Sequence, residues 1–268
     1  GQADLVQMAR PFLADSDWVN KAASNQAHLI NTCIGCNQAC LDHTFANQRA
    51  SCLVNPLACF ESEISVKPTK KPKKIIIVGA GVAGLSAAVT AASRGHQVTI
   101  YEQHTHIGGQ FNMAKVIPGK EEFFETIRYF REQIKHLNIT VHLNTKVDKA
   151  ILNQSRADHV IIATGVVPRM LPSLEGANLP QVISYSDLLT GKKIAGERVA
   201  VLGAGGIGFD VAEFLTHGSS VSDAVNDATY KPKAMDVDTF FTHWGVDQQA
   251  CYQTKGALVE PNYTTPVR

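Results

Sequence analysis

From Lys74 onward the chain alternates between two hydrophobic periods. KIIIV is a continuous β-branched run, the Ala-rich stretch to Ser93 reads as a helix, and HQVTIYE returns to a strand pattern, which together predict a βαβ unit. Further on, EEFFETIRYFREQIKHL repeats apolar residues at Phe123, Ile127, Phe130 and Ile134, one face of a helix. ITVHL and HVIIATG read as strands, as does RVAVLG from Arg198, which runs into a second glycine-rich turn. Before the linker-like SVKPTKKPKK at Ser65 the pattern is weaker. An alternating segment from Ala3 to Met8 predicts a short strand, Arg10-Pro11 a turn, and DSDWVNKAAS a helix. The expected fold class is α/β: a Rossmann-like nucleotide-binding domain followed by the start of a second one nested within it.

Composition narrows the classes. A 268-residue chain with 44% hydrophobic residues can bury one large core or two smaller ones. A net charge of +1 gives no electrostatic footprint for nucleic acid or an anionic membrane, so neither partner is expected. The longest apolar run, from Ile75, is broken by glycines and falls short of a membrane span. The opening GQADLVQMARPF has no export-signal pattern, so a cytoplasmic location and reduced cysteines are expected.

Gly79, Gly81 and Gly84 form GAGVAG between a strand and a helix. The first glycine allows the turn, the second lets backbone approach a pyrophosphate, and the third lets helix and strand pack closely. Glu102 ends the next strand, where a carboxylate can accept hydrogen bonds from ribose hydroxyls. Gly108-Gly109-Gln110 and the strand ending at Thr164-Gly165 follow in the order that suits a long dinucleotide, FAD. Gly203, Gly205 and Gly208 repeat the fingerprint, which points to a second dinucleotide, but the chain after them shows no convincing strand to close that unit. His104 and His106 are candidates to line a cofactor, although solvated loop histidines are commoner. No Ser/His/Asp or Cys/His nucleophilic set stands out, so no catalytic residue is assigned.

Four of the six cysteines, Cys33, Cys36, Cys40 and Cys52, are spaced C-x2-C-x3-C-x11-C. Three close thiols and a distant fourth favour an iron–sulfur cluster over the paired knuckles of a zinc site, and zinc stays open on spacing alone. His43 lies inside the loop and is expected to hydrogen-bond or face solvent. Cys59 and Cys251 lack partners at ligand spacing.

Taken together, ADLVQMARPFLAD, INTCIGCNQACLDH, SCLVNP, IIIVGAGVAGLSAA with Glu102, IGGQF, VIIATG and VAVLGAGGIGFDVA resemble the bacterial NADPH-dependent 2,4-dienoyl-CoA reductases. These belong to the Old Yellow Enzyme-like group that includes trimethylamine dehydrogenase. The resemblance implies an FMN-binding TIM barrel remnant at 1–30, an iron–sulfur segment and linker at 31–66, an FAD domain at 67–196 and an incomplete NAD(P) domain at 197–268. By the same resemblance Ala9 and Arg10 help hold the FMN phosphate. Cys33, Cys36, Cys40 and Cys52 are [4Fe–4S] ligands, and Ala83, Glu102, Gln110, Lys120 and Val147 match FAD-contacting positions. The implied activity is electron relay from NADPH through FAD and the cluster to FMN, reducing a dienoyl-CoA, with most of the barrel and the C-terminal part missing. An amine dehydrogenase of the same architecture and a non-catalytic electron-transfer module are the alternatives.

Overall fold

A computed structural model describes residues 4–169, 174–217, 236–243 and 245–246. Its centre is a four-stranded parallel sheet, β1 (Lys74–Val78), β2 (Gln97–Tyr101), β3 (Thr140–His142) and β4 (His159–Ile162), in the order β3-β2-β1-β4. Ile75, Ile76 and Ile77 of β1 are all buried, as expected for a strand covered on both faces.

The cysteine side of the chain is built from short helices: α1 (Arg10–Ala14), α2 (Trp18–Ala23), a 3₁₀ turn at Ala27–Leu29 and α3 (Leu41–Phe45). In the sheet region α4 (Val82–Ser93) joins β1 to β2, and α5 (Phe111–Ala114) precedes α6 (Phe123–His136). Then come α7 (Lys149–Ser155), α8 (Tyr185–Leu189), α9 (Gly206–His217) and α10 (Val237–His243). Leu85 and Ala88 of α4 and Phe130 of α6 close over Ile77 and Ile100 to make the main core. A smaller core of Ile117, Leu189 and Phe214 ties α8 and α9 to the loop after α5.

The chain winds outward from β1 through β2 to β3, then returns to the other side of β1 as β4. The order therefore reverses between β1 and β4, and the crevice beyond the carboxyl ends of these strands is where such sheets bind ligands.

Three local expectations are corrected. Residues 4–8 are not a strand, and Leu5 and Val6 are 93% and 74% exposed. Alternation makes a segment β-prone, but a strand exists only when a neighbour accepts its hydrogen bonds. Arg10-Pro11 is the start of α1 instead of a turn, because proline's fixed φ suits the first helical turn. Arg198 to Leu202 is also outside the sheet, with Val199, Val201 and Leu202 exposed. Residues 65–73 carry no helix or strand, and Thr69 N–H is fixed on the carbonyl of Arg94 at 2.8 Å. The residues after α9 that would close the second nucleotide unit fall mostly outside the described residues, as does Cys251.

Candidate functional site

At the end of β1 the three fingerprint glycines each meet a different constraint. Gly79 has φ +106°, and a Cβ there would lie 2.3 Å from the carbonyl oxygen of Ala163, where the chain leaves β4. A Cβ on Gly84 would lie 2.0 Å from the carbonyl oxygen of Gly79. Gly81 is different, because a Cβ there would meet nothing within 4 Å. Two glycines serve packing, and the middle one borders open space. Gly81 caps α4 without a side-chain hydrogen bond, so the helix's first N–H groups face that space. Ala83, in the first turn, is exposed.

Glu102 is buried, and both carboxylate oxygens accept backbone donors: Oε2 from Ala80 N–H at 2.7 Å and Oε1 from His104 N–H at 2.9 Å. It thus ties the glycine turn to the end of β2. A carboxylate offers about four acceptor sites, leaving two for ribose hydroxyls. Val147 lies two residues beyond Thr145, whose N–H donates to the carbonyl of Glu102 at 2.8 Å. Gly108 donates its N–H to the carbonyl of Ala80 at 2.8 Å, drawing the Gly108-Gly109 turn beside Gly81. Gln110 reaches across the crevice to the carbonyl of Val166 at 2.9 Å, next to Gly165. Gly79, Gly81, Glu102, Gly109, Gln110 and Gly165 therefore flank one crevice at the strand-order reversal, left open at Gly81.

Lys120 is placed elsewhere. Its ammonium pairs with Asp210 of α9 at 2.6 Å, and both line an open hollow with Ile117, Pro118 and Phe209. Of the two loop histidines, His104 is exposed and His106 is half-buried, its pKa lowered by desolvation and then by the Lys115 charge.

The second glycine turn keeps the local geometry of the first. Gly203 has φ +118°, and a Cβ on Gly208 would lie 2.0 Å from the carbonyl of Gly203, while Gly205 borders open space. The turn and α9 are formed, although the preceding segment has no sheet partner.

Cys33, Cys36, Cys40 and Cys52 line one cavity, closed by Ile34, Ala39, Leu53 and Val54, with Arg10 at its edge. The distant fourth cysteine is brought in by Ser51 N–H, which donates to the carbonyl of Ala39 at 2.6 Å. All four thiols are half-buried and none is in a disulfide. Burial pushes the Cys52 thiol up, and nearby Cys33 and Cys36 add to the rise. Among the described residues no three His, Cys, Asp or Glu side chains are grouped so as to hold a single metal ion. A tetrahedral zinc would draw its thiolates to about 2.3 Å from one centre. In a cubane each cysteine binds a different iron, and four thiols around one cavity are the donor number that either group requires. His43 is not aimed at the cavity chemistry: its Nδ1 lies 3.1 Å from the carbonyl of Arg49, the hydrogen-bonding role expected. Arg10 Nη1 donates to Asn37 Oδ1 at 2.8 Å inside the cysteine loop, and Ala9 precedes α1.

The sequence profile of the pyridine nucleotide-disulphide oxidoreductases matches residues 73–235, more than half of the chain. The chain belongs to this family. The pyridine nucleotide-disulphide oxidoreductase fold here is an FAD/NAD(P)-binding Rossmann-like α/β domain, and its relatives are flavoprotein reductases and amine dehydrogenases. A metal reductase of Desulforamulus reducens is 38% identical, covering 83% of this chain and 34% of the relative. An N,N-dimethylglycine/sarcosine dehydrogenase of Chromohalobacter salexigens is 29% identical, covering 91% and 37%. A 2-naphthoyl-CoA reductase solved in complex with 2-naphthoyl-CoA superposes with a TM-score of 0.78 at 33% identity, covering 84% of this chain and 36% of that one. The chain spans about a third of the length of the curated relatives it matches.

In this member of the family the bracing by Glu102, and the ribose contact expected of it, are testable together. Glu102→Ala orphans the N–H groups of Ala80 and His104, a loss of about 2–4 kcal/mol that lowers the apoprotein's melting temperature and weakens FAD binding together. Glu102→Gln keeps an acceptor for one donor and should fall between. Thermal unfolding of the apoprotein with a flavin titration checks this, and an unchanged melting temperature in Glu102→Ala would deny the structural half.

Sequence reasoning did not single out Asp15, Asn31 or Arg128. Asp15 is buried, paired with Lys21 at 2.6 Å and accepting the N–H of Asn31 at 2.8 Å. Tyr129 beside it has a pKa pushed up to about 12, by burial first and then by Asp15. The Asp15–Asn31 contact spans 16 positions and that of Arg128 with Ile30 spans 98, so no local pattern announces them.

Proposed function

We propose that the chain is the electron-input part of an iron–sulfur flavoprotein reductase related to the 2,4-dienoyl-CoA reductases. The observation that carries this reading is the single cavity lined by Cys33, Cys36, Cys40 and Cys52, in a chain that also folds the glycine turn of a dinucleotide-binding family. When bound, FAD would supply acceptance of one hydride, two electrons, from NADPH, a [4Fe–4S] cluster would supply transfer of those electrons one at a time, and FMN would supply their return as a pair to an enoyl or dienoyl thioester of coenzyme A, with a proton completing the reduction.

The chain's own residues would bind and orient. The N–H groups at the start of α4 would hold the FAD pyrophosphate, with Gly81 permitting the approach and Ala83 in the same turn. Glu102 would take ribose hydroxyls on its two remaining acceptor sites. Gly109, Gln110, Val147 and Gly165 would border the rest of the cofactor, and Lys120 could join them only by leaving Asp210. Gly203, Gly205 and Gly208 would face NADPH, and Ala9 and Arg10 the FMN phosphate. The four cysteine thiols would lose their protons to ligate iron. Buried Ile34 and Ala39 would limit water on their side of the thiols. A cytoplasmic location, where thiols stay reduced, is part of the same proposal; no helix among the described residues is long and apolar enough to cross a membrane.

The 2-naphthoyl-CoA reductase likeness supports the thioester substrate. The sarcosine dehydrogenase relative favours a second reading, oxidation of an amine. Anaerobic purification with iron, acid-labile sulfide, zinc and flavin analysis tests the first: about four irons and four sulfides per FAD are expected. Zinc without sulfide would sink it. In the full-length protein, a dienoyl-CoA should reoxidise the NADPH-reduced enzyme, whereas reduction of the oxidised enzyme by a tertiary amine would select the second reading.

A further inference from the structure

Two neighbouring residues of α6 touch two different sites. Ile127 packs under the Gly108 turn, where its Cδ1 would lie 3.0 Å from a Cβ added to Gly108. Arg128, the next residue, points to the segment that leads into Cys33. Its Nη1 donates to the carbonyl of His28 at 2.5 Å, and its Nη2 to the carbonyl of Ile30 at 2.8 Å and to Thr32 Oγ1 at 3.3 Å. Its Nε pairs with Glu125 at 2.5 Å, and Thr32 Oγ1 lies 3.5 Å from the same carboxylate.

The local reason is the 3₁₀ turn at Ala27–Leu29, which ends with carbonyls that have no partner within it. A guanidinium is suited to them: its planar fork serves several acceptors at once and its charge complements the negative end of the turn. Lysine has a single donor centre and cannot span three acceptors spread over His28, Ile30 and Thr32. Glu125, one turn earlier on α6, fixes the fork's orientation.

We propose that Arg128 is a positioning residue that locks the strap from His28 to Thr32 onto α6, holding the cysteine cavity at one fixed separation from the dinucleotide crevice. Its purpose rests on the iron–sulfur flavoprotein reading, because the probability of electron transfer between two bound groups falls steeply with their distance. The lock itself does not depend on that reading.

The test uses the full-length protein carrying Arg128→Met, which keeps stem length and removes the fork, beside Arg128→Lys and Thr32→Val. Amide hydrogen exchange over residues 28–36 is expected to rise about tenfold or more in Arg128→Met, and less in the other two, while β1 and α4 stay protected. FAD content should be unchanged, and bleaching of the cluster by NADPH should slow by at least as large a factor. Exchange over 28–36 equal to wild type in Arg128→Met, or in both milder variants should Arg128→Met fail to fold, overturns the lock. Faster exchange with an unchanged bleaching rate overturns its role in setting the separation. A wild-type protein without iron removes the electron-transfer purpose, and the exchange result still decides the lock.

Discussion

Gly84→Ala is expected to abolish FAD binding by breaking the fold, whereas Gly81→Ala leaves the fold intact and weakens the flavin alone. The added methyl at Gly84 would sit 2.0 Å from the carbonyl oxygen of Gly79, with the Ile77 side chain 3.3 Å away on the strand side. Neither can yield easily. The oxygen is backbone in a turn whose next N–H, that of Ala80, is tied to Glu102, and Ile77 is fully buried. Relieving the overlap means lifting α4 from β1, which opens the contacts of Leu85 and Ala88 with the sheet. Overpacking of this kind costs about 3 kcal/mol, a large share of a domain's net stability. At Gly81 the methyl enters open space, so the apoprotein should melt as wild type does. If that space receives the pyrophosphate, flavin affinity should fall about tenfold or more, since a methyl there displaces phosphate oxygens from the helix N–H groups. Thermal unfolding of the two apoproteins and a flavin titration separate the cases. Equal melting temperatures for the two variants would refute the division of labour, and unchanged affinity in Gly81→Ala would move the phosphate elsewhere.

Replacing any one of Cys33, Cys36, Cys40 or Cys52 by alanine is expected to remove most of the iron and acid-labile sulfide while leaving FAD in place. The four thiols line one cavity, and removing one leaves an iron without its protein ligand. The main core around the sheet contains no cysteine, so the flavin fold should survive each substitution. Cys59→Ala is the control. Cys59 lies outside the cavity; its carbonyl is held by Arg49 and its N–H by Glu61, contacts that alanine keeps. Iron, sulfide and flavin per chain are the measurement. Full iron retention in Cys52→Ala would remove the fourth ligand from the proposal, and loss of flavin in all four would show that the two parts do not fold independently.

The βαβ unit from Lys74 to Glu102, helix α6 and the return strand β4 were legible because each is set by local periodicity. A β-branched run before GAGVAG admits few other structures, and Ile127 and Phe130 keep helical spacing whatever lies opposite them. The same rules misread the segments whose structure depends on neighbours. Leu5, Val6, Val199 and Val201 sit in segments with a strand-like pattern, yet they are exposed and outside the sheet, because a ladder is made between segments and not within one.

By itself, the sequence determined the cysteine spacing and the fingerprint: four thiols at fixed intervals, and glycines placed where turn and packing require them. Tertiary structure alone decided how these parts meet. Ser51 and Ala39 bring Cys52 to the other three cysteines, Glu102 braces Ala80, Lys120 turns to Asp210, and Arg128 holds the strap before Cys33. Each of these contacts joins residues separated by at least 12 positions. Spacing along a chain reports which groups share a helix face or a turn; contacts across such gaps depend on the path of the whole fold, which no local period encodes.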